Sequence, residues 1–162
     1  MSTVDAKLPA APAVSGPPPH LLVVRAPYYT EVVDGLLDGA ARILTEAGAT
    51  FDVLDVAGAL ELAGAVRLAV GGPRSGAFDG YVALGCVVKG DTDHYEFVCR
   101  EAMAGLTIVV QAHALCLGNG LLTVHKLSQA VERSGADGHN KGAEAAAAAL
   151  VQINAARWLT GA

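Results

Sequence analysis

The sequence predicts an α/β protein, a three-layer α/β/α sandwich around a central four-stranded parallel sheet with flavodoxin-like strand order. Short apolar runs alternate with longer segments of 3.6-residue apolar period through most of the 162 residues. Strand–helix units repeated in this way give parallel strands with helices on both faces of the sheet. Ligands of such sheets bind beyond the carboxyl ends of the strands, so functional residues are expected directly after strands.

The first half of the chain supplies two strands and two helices. Residues 21–24 are all apolar and predict a buried strand. Residues 31–47 carry apolar side chains on one helical stripe, and Gly48 is placed to end that helix. Residues 51–56 alternate in polarity, which predicts the second strand, and residues 60–70 predict a short helix.

The third strand is followed by a helix in which two sequence signals conflict. Residues 81–84 predict a strand, and Asp93 is a candidate N-cap with Glu96 three residues on, so we expect a capping box there. Residues 106–110 favour a strand by propensity, yet they continue the helical apolar stripe that starts at Val98. We therefore predict that the helix runs through them.

The remaining segments complete the pattern. Residues 115–124 predict the fourth strand, residues 126–133 a short helix, and residues 141–159 a long alanine-rich helix. Residues 1–19 are rich in alanine and proline and predict a flexible arm, which leaves residues 20–162 as a single domain. The arm lacks the pattern of a secretory signal, so a cytoplasmic protein is expected.

Composition narrows the possible partners. Apolar residues make up 52% of the chain and charged residues 17%, with a mean hydropathy of +0.41. A small domain cannot bury so much apolar surface alone, and no run approaches the ~20 residues of a membrane span, so a homo-oligomer without a membrane partner is expected. The net charge of −5, with cations scattered singly, gives no basic face for nucleic acid.

The three cysteines show no metal-binding pattern. Cys86, Cys99 and Cys116 lie in apolar surroundings, and no CxxC spacing occurs to suggest zinc or a redox pair. Buried free thiols in a reducing compartment fit this pattern.

The densest group of chemically useful residues follows the third strand. Gly90 lets a ligand approach the backbone closely, Thr92 offers a hydroxyl, and the N–H groups of the next helix can bind an anion. His94 lies on the first helical turn and can carry a proton near neutral pH. Taken alone, the segment fits either a phosphate site with a proton shuttle or an ordinary strand–helix turn with a surface histidine.

Three sequence blocks carry a family resemblance. Residues 85–96 fit the pattern G-x-V-[IVL]-[RK]-G-[EADT]-T-x-H-[FY]-[DE], which resembles the signature of lumazine synthases. Residues 132–135 and 140–142 resemble the family's E-R-[AS]-G…N-K-G ending, and residues 56–62 resemble its V-P-G-[AS]-[FLY]-E-[IL] segment. The blocks keep the family's order and spacing, so the resemblance covers about residues 21–159.

The resemblance implies a transferase of riboflavin biosynthesis that uses no metal or organic cofactor. The amine of 5-amino-6-(D-ribitylamino)uracil attacks the ketone of 3,4-dihydroxy-2-butanone 4-phosphate to form an imine. Phosphate then leaves, the ring closes and water is lost, which gives 6,7-dimethyl-8-ribityllumazine. The resemblance also implies pentamers, alone or assembled into decamers or icosahedral shells, with active sites between neighbouring subunits.

The resemblance assigns the phosphate end of the site to four residues. His94 matches the family's proton-transfer histidine, and Arg133 matches the arginine that grips the phosphate. Asp91 and Thr92 match loop residues that complete the phosphate site, chiefly through backbone N–H groups and the Thr92 hydroxyl. The alternative for Arg133 is a cation that stabilises a helix C-terminus.

The pyrimidine and ribityl groups are assigned to the ends of three strands. Tyr28 stands where the family carries an aromatic ring that stacks on the pyrimidine, although it could be a locally packed turn residue. Glu61 could likewise be an ordinary residue at a helix N-terminus. The positions that match the ribityl-binding segment and the ring-recognising strand end are Ala59, Leu60, Glu61, Cys86, Val87 and Val88.

Several positions depart from the family pattern. Asn119 stands where a phenylalanine from the adjacent subunit is common, so an amide replaces a stacking ring. Lys141 is a secondary candidate that could reach ligand from either subunit. Pro27 replaces the family's usual arginine in the first loop. Ala57 and Ala63 stand where prolines are common, so the second loop is expected to be looser.

Other functions remain possible at this point. They are a catalytically weak paralogue that binds lumazine or flavin, an unrelated doubly wound module for a phosphorylated metabolite, and a shell or scaffold protein. Retention of His94, Arg133 and Thr92 favours the active synthase.

Overall fold

The strands form one parallel sheet, as the sequence predicts. The computed structural model describes residues 10–136 and 139–161. The four-stranded sheet has the order β2–β1–β3–β4, the flavodoxin-like order that was expected. Its strands are β1 (His20–Ala26), β2 (Thr50–Asp55), β3 (Gly80–Val88) and β4 (Leu117–Val124).

Helices cover both faces of this sheet and complete the three layers. α1 and α5 pack together on one face, and α2 and α3 pack together on the other. No helix in the described part of the chain is both long and apolar enough to span a membrane. The helices are α1 (Thr30–Glu46), α2 (Glu61–Gly71), α3 (His94–His113), α4 (Leu127–Glu132) and α5 (Lys141–Thr160).

The core is divided in two by the sheet, and β1 lies at its centre. Leu21 and Val23 are fully buried against α1 and α5, whereas Leu22 and Val24 are buried against α2 and α3. A strand that is covered on both faces must be apolar at every position, because successive side chains point to opposite faces. This accounts for the unbroken apolar run by which the strand was predicted.

The structure corrects the expected end of the third strand and the expected helix cap. β3 continues to Val88, because residues 85–88 pair with residues 121–124 of β4. Asp93 does occupy the N-cap position of α3, but its side chain accepts no N–H. The predicted capping box is therefore wrong: the backbone of Asp93 is helical, with φ −69° and ψ −4°, whereas a capping side chain needs an extended backbone.

The disputed segment 106–110 is helical, as its apolar stripe predicts. It lies inside α3, which runs without interruption from His94 to His113. Ala102, Leu106 and Val109 are all buried against the sheet. Tertiary packing of the stripe therefore outweighs the strand propensity of the individual residues.

The described part of the N-terminal arm lies along α5. Ser15 N–H donates to Asn154 Oδ1 at 2.9 Å, and Asn154 Nδ2 donates to the Ala13 carbonyl at 2.7 Å. Arg157 donates to the Ser15 carbonyl. Residues 1–9, which belong to the predicted flexible arm, lie outside the described residues.

Asn140 fastens the segment before α5 to α1. It is 3% exposed, and its Oδ1 accepts the Ala143 N–H at 3.0 Å and so caps α5. Its Nδ2 donates to the carbonyls of Gly35 at 2.7 Å and Ser134 at 2.9 Å. A Cβ on Gly39 would collide with the Asn140 amide, so a residue without a side chain is needed there. The N-K-G block thus includes a structural residue.

We predict that Asn140→Ala lowers the free energy of unfolding by about 2–3 kcal/mol, because a helix cap is lost and buried carbonyls lose their donor. Urea unfolding at one fixed protein concentration measures the change. Asn154→Ala is the matched control on the same helix, since its amide bonds only the exposed arm. An equal loss in both variants would contradict the role of Asn140.

Candidate active site

A cavity of about 330 Å³ opens at the carboxyl ends of β1, β2 and β3. This is where a parallel sheet of this order is expected to bind ligands. It is lined by Tyr28, Tyr29, Gly58, Ala59, Leu60, Glu61, Cys86, Val87, Val88, His94 and Val98. The structure therefore brings together eight of the predicted site residues from four separate segments, and we call this space the strand-end cavity.

One wall of the strand-end cavity is a short 3-10 helix that follows β1. Pro27 occupies its first turn, where the fixed φ of proline suits helical backbone. The Tyr28 ring is 76% exposed, whereas Tyr29 packs against the core. The two rings meet edge to face at 5.2 Å between centroids. An exposed aromatic face on a supported turn is suited to stacking on a planar ligand ring.

The opposite wall is the loop between β2 and α2. Glu61 N–H donates to the Gly58 carbonyl at 3.2 Å, which folds the loop into a turn directly before α2. Leu60 is exposed, and Glu61 is the first residue of α2. Its carboxylate can accept hydrogen bonds from the hydroxyls of a sugar-like ligand.

The floor is formed by the last residues of β3, which extend beyond the end of the neighbouring strand β1. β1 pairs with β3 only as far as Ala26 opposite Gly85, whereas β4 pairs with β3 as far as Val124 opposite Val88. Residues 86–88 therefore have a neighbouring strand on one side and the cavity on the other. A strand edge without a partner can offer backbone N–H and C=O groups to a ligand ring.

The thiol of Cys86 packs into this floor and is not activated. The residue is 5% exposed, and burial raises the pKa of its thiol to about 11, with a smaller contribution from Cys99. Burial also raises the pKa of the neighbouring Tyr29 phenol. Because a thiolate is the nucleophilic form, Cys86 is a packing residue at neutral pH.

His94 lies at the junction of the floor and α3. It is the first residue of that helix, it lines the strand-end cavity, and it is exposed. Asp91 and Thr92 lie in the exposed loop just before it and are not among the described lining residues. A Cβ on Gly90 would meet nothing within 4 Å, so the side of the loop at Gly90 is open.

The predicted cations lie outside the lining of this chain's own cavity. Arg133 follows α4 and is 25% exposed at its side chain; its Nη1 donates to the Gln129 carbonyl at 2.8 Å and lies 3.3 Å from Glu132 Oε2. Lys141 Nζ lies 2.6 Å from a Glu144 carboxylate oxygen. Both cations are already paired, and each leaves part of its side chain exposed.

Asn119 protects the open edge of β4. Its Oδ1 accepts the N–H of Leu121 at 3.0 Å, and its Nδ2 lies 3.1 Å from Met103 Sδ. β4 is a terminal strand of the sheet, so this N–H would otherwise be left without a backbone partner. Among the described residues it does not line the strand-end cavity.

Three lining residues were not predicted from the sequence. Tyr29 and Gly58 each adjoin a predicted residue, and Val98 lies one helical turn after His94. Val98 could have been predicted from the position of His94, because residues four apart on a helix lie on the same face. In the described part of the chain, no group of three or more His, Cys, Asp or Glu side chains is placed to bind a metal ion.

The chain was compared with known proteins. Residues 18–157 match the family model of 6,7-dimethyl-8-ribityllumazine synthase. A protein of that name from Afipia carboxidovorans is 42% identical over 142 residues, which cover 86% of this chain and 87% of the relative. Another from Agrobacterium fabrum is 42% identical over 88% of this chain and 98% of its own length. A third, from Bartonella tribocorum, is 44% identical over 83% of this chain and 88% of its own length.

We predict that Cys86 in the folded protein is alkylated by iodoacetamide with a pH profile centred near 11, where half of the thiol is ionised. At about pH 8 its thiolate fraction is expected to be about a hundredfold below that of an unperturbed thiol, because two pKa units separate them. Peptide mass mapping follows each cysteine, and the urea-unfolded chain is the control. A midpoint near the ordinary thiol pKa in the folded protein would contradict this account.

Proposed function

The chain belongs to the 6,7-dimethyl-8-ribityllumazine synthase family, a transferase family of riboflavin biosynthesis, and we propose that the reaction takes place in its strand-end cavity. The substrates are 5-amino-6-(D-ribitylamino)uracil and 3,4-dihydroxy-2-butanone 4-phosphate. The observation that carries the assignment is the cavity itself, which joins an aromatic ring, an unpartnered strand edge, a carboxylate and an imidazole.

The pyrimidine is proposed to bind between the two walls of the cavity. Tyr28 stacks on the ring, and the backbone of residues 86–88 reads its polar edge. The ribityl chain lies along residues 58–61, where Glu61 accepts hydrogen bonds from its hydroxyls. These roles use the groups that the described loops direct to the cavity.

His94 is proposed to move protons during the condensation. The attacking amine must lose protons as the imine forms, and the carbinolamine oxygen must gain them to leave as water. An imidazole at the cavity margin can accept a proton from the amine and then pass it to the departing oxygen. The amine and the ketone react slowly without a catalyst, so much of the rate comes from holding the two substrates together.

The phosphate end is proposed to be completed by a neighbouring copy of the chain. Thr92 and the backbone of the loop at Asp91 lie beside His94 in the sequence. These groups are proposed to bind the phosphate, and they belong to the same copy of the chain as His94. Arg133 is assigned to the adjacent copy, because in its own chain it is not among the lining residues. A guanidinium forms bidentate, charge-assisted bonds with phosphate oxygens. Asn119 and Lys141 are assigned to the same neighbour.

Membership of this family is also the basis on which we propose that the chain assembles as a pentamer and is located in the cytoplasm. Phe97 and Ile108 on α3 and Val131 on α4 are large apolar side chains, and 46% or more of each is exposed in the single chain. Such side chains on two helices are expected to be covered by another subunit. In a ring of identical subunits, every interface joins the same two different surfaces of the chain, as a site divided between neighbours requires.

A catalytically weak relative that binds lumazine or flavin is the alternative function. Mixing both substrates with the protein and following lumazine fluorescence separates the two possibilities. An active synthase forms product well above the spontaneous rate, whereas the weak relative binds lumazine and leaves the rate unchanged.

We predict that His94→Ala lowers kcat by roughly 10²-fold and leaves the assembly intact, because a general acid/base is lost while substrate positioning remains. Steady-state kinetics and sedimentation velocity measure the two effects. His113→Ala, at the other end of the same helix, is the matched control and is expected to keep full activity. An unchanged kcat for His94→Ala would remove this imidazole from the mechanism.

We predict that Arg133→Ala raises KM for the sugar phosphate by about 10²-fold and leaves the affinity for the pyrimidine nearly unchanged, because charge-assisted bonds to phosphate are lost. Equal loss of both affinities would contradict the phosphate role.

Co-expression of the two variants tests the division of the site. If His94 and Arg133 come from different copies, mixed assemblies contain about a quarter of intact sites and recover a corresponding share of activity. If both residues serve the same copy, every site carries one defect and no activity returns.

A further inference from the structure

Arg25 links three elements beneath the strand-end cavity. Its Nε and Nη2 contact the two carboxylate oxygens of Asp55, at 2.5 and 3.2 Å, and its Nη1 contacts Asp34 Oδ1 at 2.6 Å. The side chain of Arg25 is only 19% exposed. A planar guanidinium that is bonded by two carboxylates has a better defined orientation than one that forms a single surface ion pair.

Arg25 and its two partners lie close in sequence to the two cavity walls. Arg25 is three residues before Tyr28, and Asp55 is three residues before Gly58. Asp34 lies near the start of α1, the helix that directly follows Tyr29. The Arg25 carbonyl also accepts the Val56 N–H at 2.9 Å, the last backbone bond before the second loop begins. The cluster therefore fixes the two points from which the walls rise.

Apart from the Arg25 cluster, the second wall is held by backbone bonds of its loop and by the packing of Val56 and Ala59 against the core. β2 is a terminal strand of the sheet, and its last three residues are exposed. Residues 56–60 contain Gly58 and no proline, so the loop has no stiffening residue of its own. To these restraints the guanidinium adds a side-chain contact that joins the exposed end of β2 to the start of α1.

We propose that Arg25 is a positioning residue that sets the distance between the Tyr28 wall and the Glu61 wall, and thereby the affinity for the pyrimidine substrate. The proposal rests on the function proposed above, because it assumes that the ring and its ribityl chain bind between these walls. Arg25 is not among the described lining residues, so it acts through the loops and does not touch the substrate.

Arg25→Met is the direct test, since it keeps an unbranched apolar stem and removes the guanidinium. KM for the pyrimidine is expected to rise about tenfold, because small displacements of a positioning wall weaken binding strongly. KM for the sugar phosphate is expected to stay within about twofold, because that substrate is held elsewhere. Arg25→Lys keeps one charge without the planar fork and is expected to give an intermediate, about threefold, rise.

Arg74→Met is the matched control. Arg74 forms an ion pair of 2.7 Å with Asp52 on the same strand β2, away from the cavity end, and is expected to keep both KM values. Sedimentation velocity and thermal unfolding accompany each variant, and Arg25→Lys provides the reading if Arg25→Met does not fold.

An unchanged pyrimidine KM in Arg25→Met or Arg25→Lys would overturn the proposal. So would an equal rise in both KM values, or the same rise in Arg74→Met, because each indicates a general loss of structure. Failure of the unsubstituted chain to form lumazine would contradict the proposed function instead, and is distinguished by assaying that chain first.

Discussion

The unequal lengths of neighbouring strands create the strand-end cavity, the ligand site proposed for this protein. β1 stops at Ala26, opposite Gly85, while β3 continues to Val88 with β4 beside it. The missing partner leaves one side of residues 86–88 facing a cavity, and the chain that leaves β1 becomes the wall opposite the β2 loop. If β1 were longer by a few residues, it would pair with residues 86–88 and fill the space. The site thus depends on where hydrogen bonding between two strands ends.

The family's sequence blocks combine chemistry with support for it. His94 lines the cavity, whereas Asn140 is buried. The amide of Asn140 forms hydrogen bonds with the backbone of Gly35, Ser134 and Ala143. The Arg133 carbonyl accepts the Lys141 N–H at 2.9 Å, so the two ends of this segment are held together by backbone as well. The segment that begins with Arg133, the residue proposed to bind phosphate, is thus held by hydrogen bonds at both of its ends. Agreement with a motif therefore does not by itself identify a residue that touches substrate.

The fold could be predicted from the sequence because each element carries its own periodic signal. The apolar run of β1 and the stripe of α3 reflect burial, and burial decided both elements. The end of β3 was missed, because the pairing that extends it comes from residues 121–124, far away in the sequence. The prediction of a capping box at Asp93 was wrong for a similar reason. The residue spacing was correct, but the spacing does not determine the backbone angles that a capping side chain requires. Most of the cavity lining lies in the family blocks at residues 56–62 and 85–96, whereas Tyr28, Tyr29 and Val98 lie outside them. The contacts of Arg25 with Asp34 and Asp55 correspond to no local sequence pattern.

The proposed division of the site between copies gives a physical reason for the pairing of Arg133 and Lys141 with nearby acceptors. Arg133 is held by the Gln129 carbonyl and lies near Glu132, and Lys141 is held by Glu144, so each cation keeps a defined position before any ligand arrives. The partly exposed side chain of Arg133 can then exchange the weak contact with Glu132 for phosphate oxygens, which carry more negative charge. In the proposed assembly that exchange occurs only where a neighbour supplies the strand-end cavity. Catalytic competence then requires the same contacts that cover the exposed apolar side chains of α3 and α4, which couples activity to assembly.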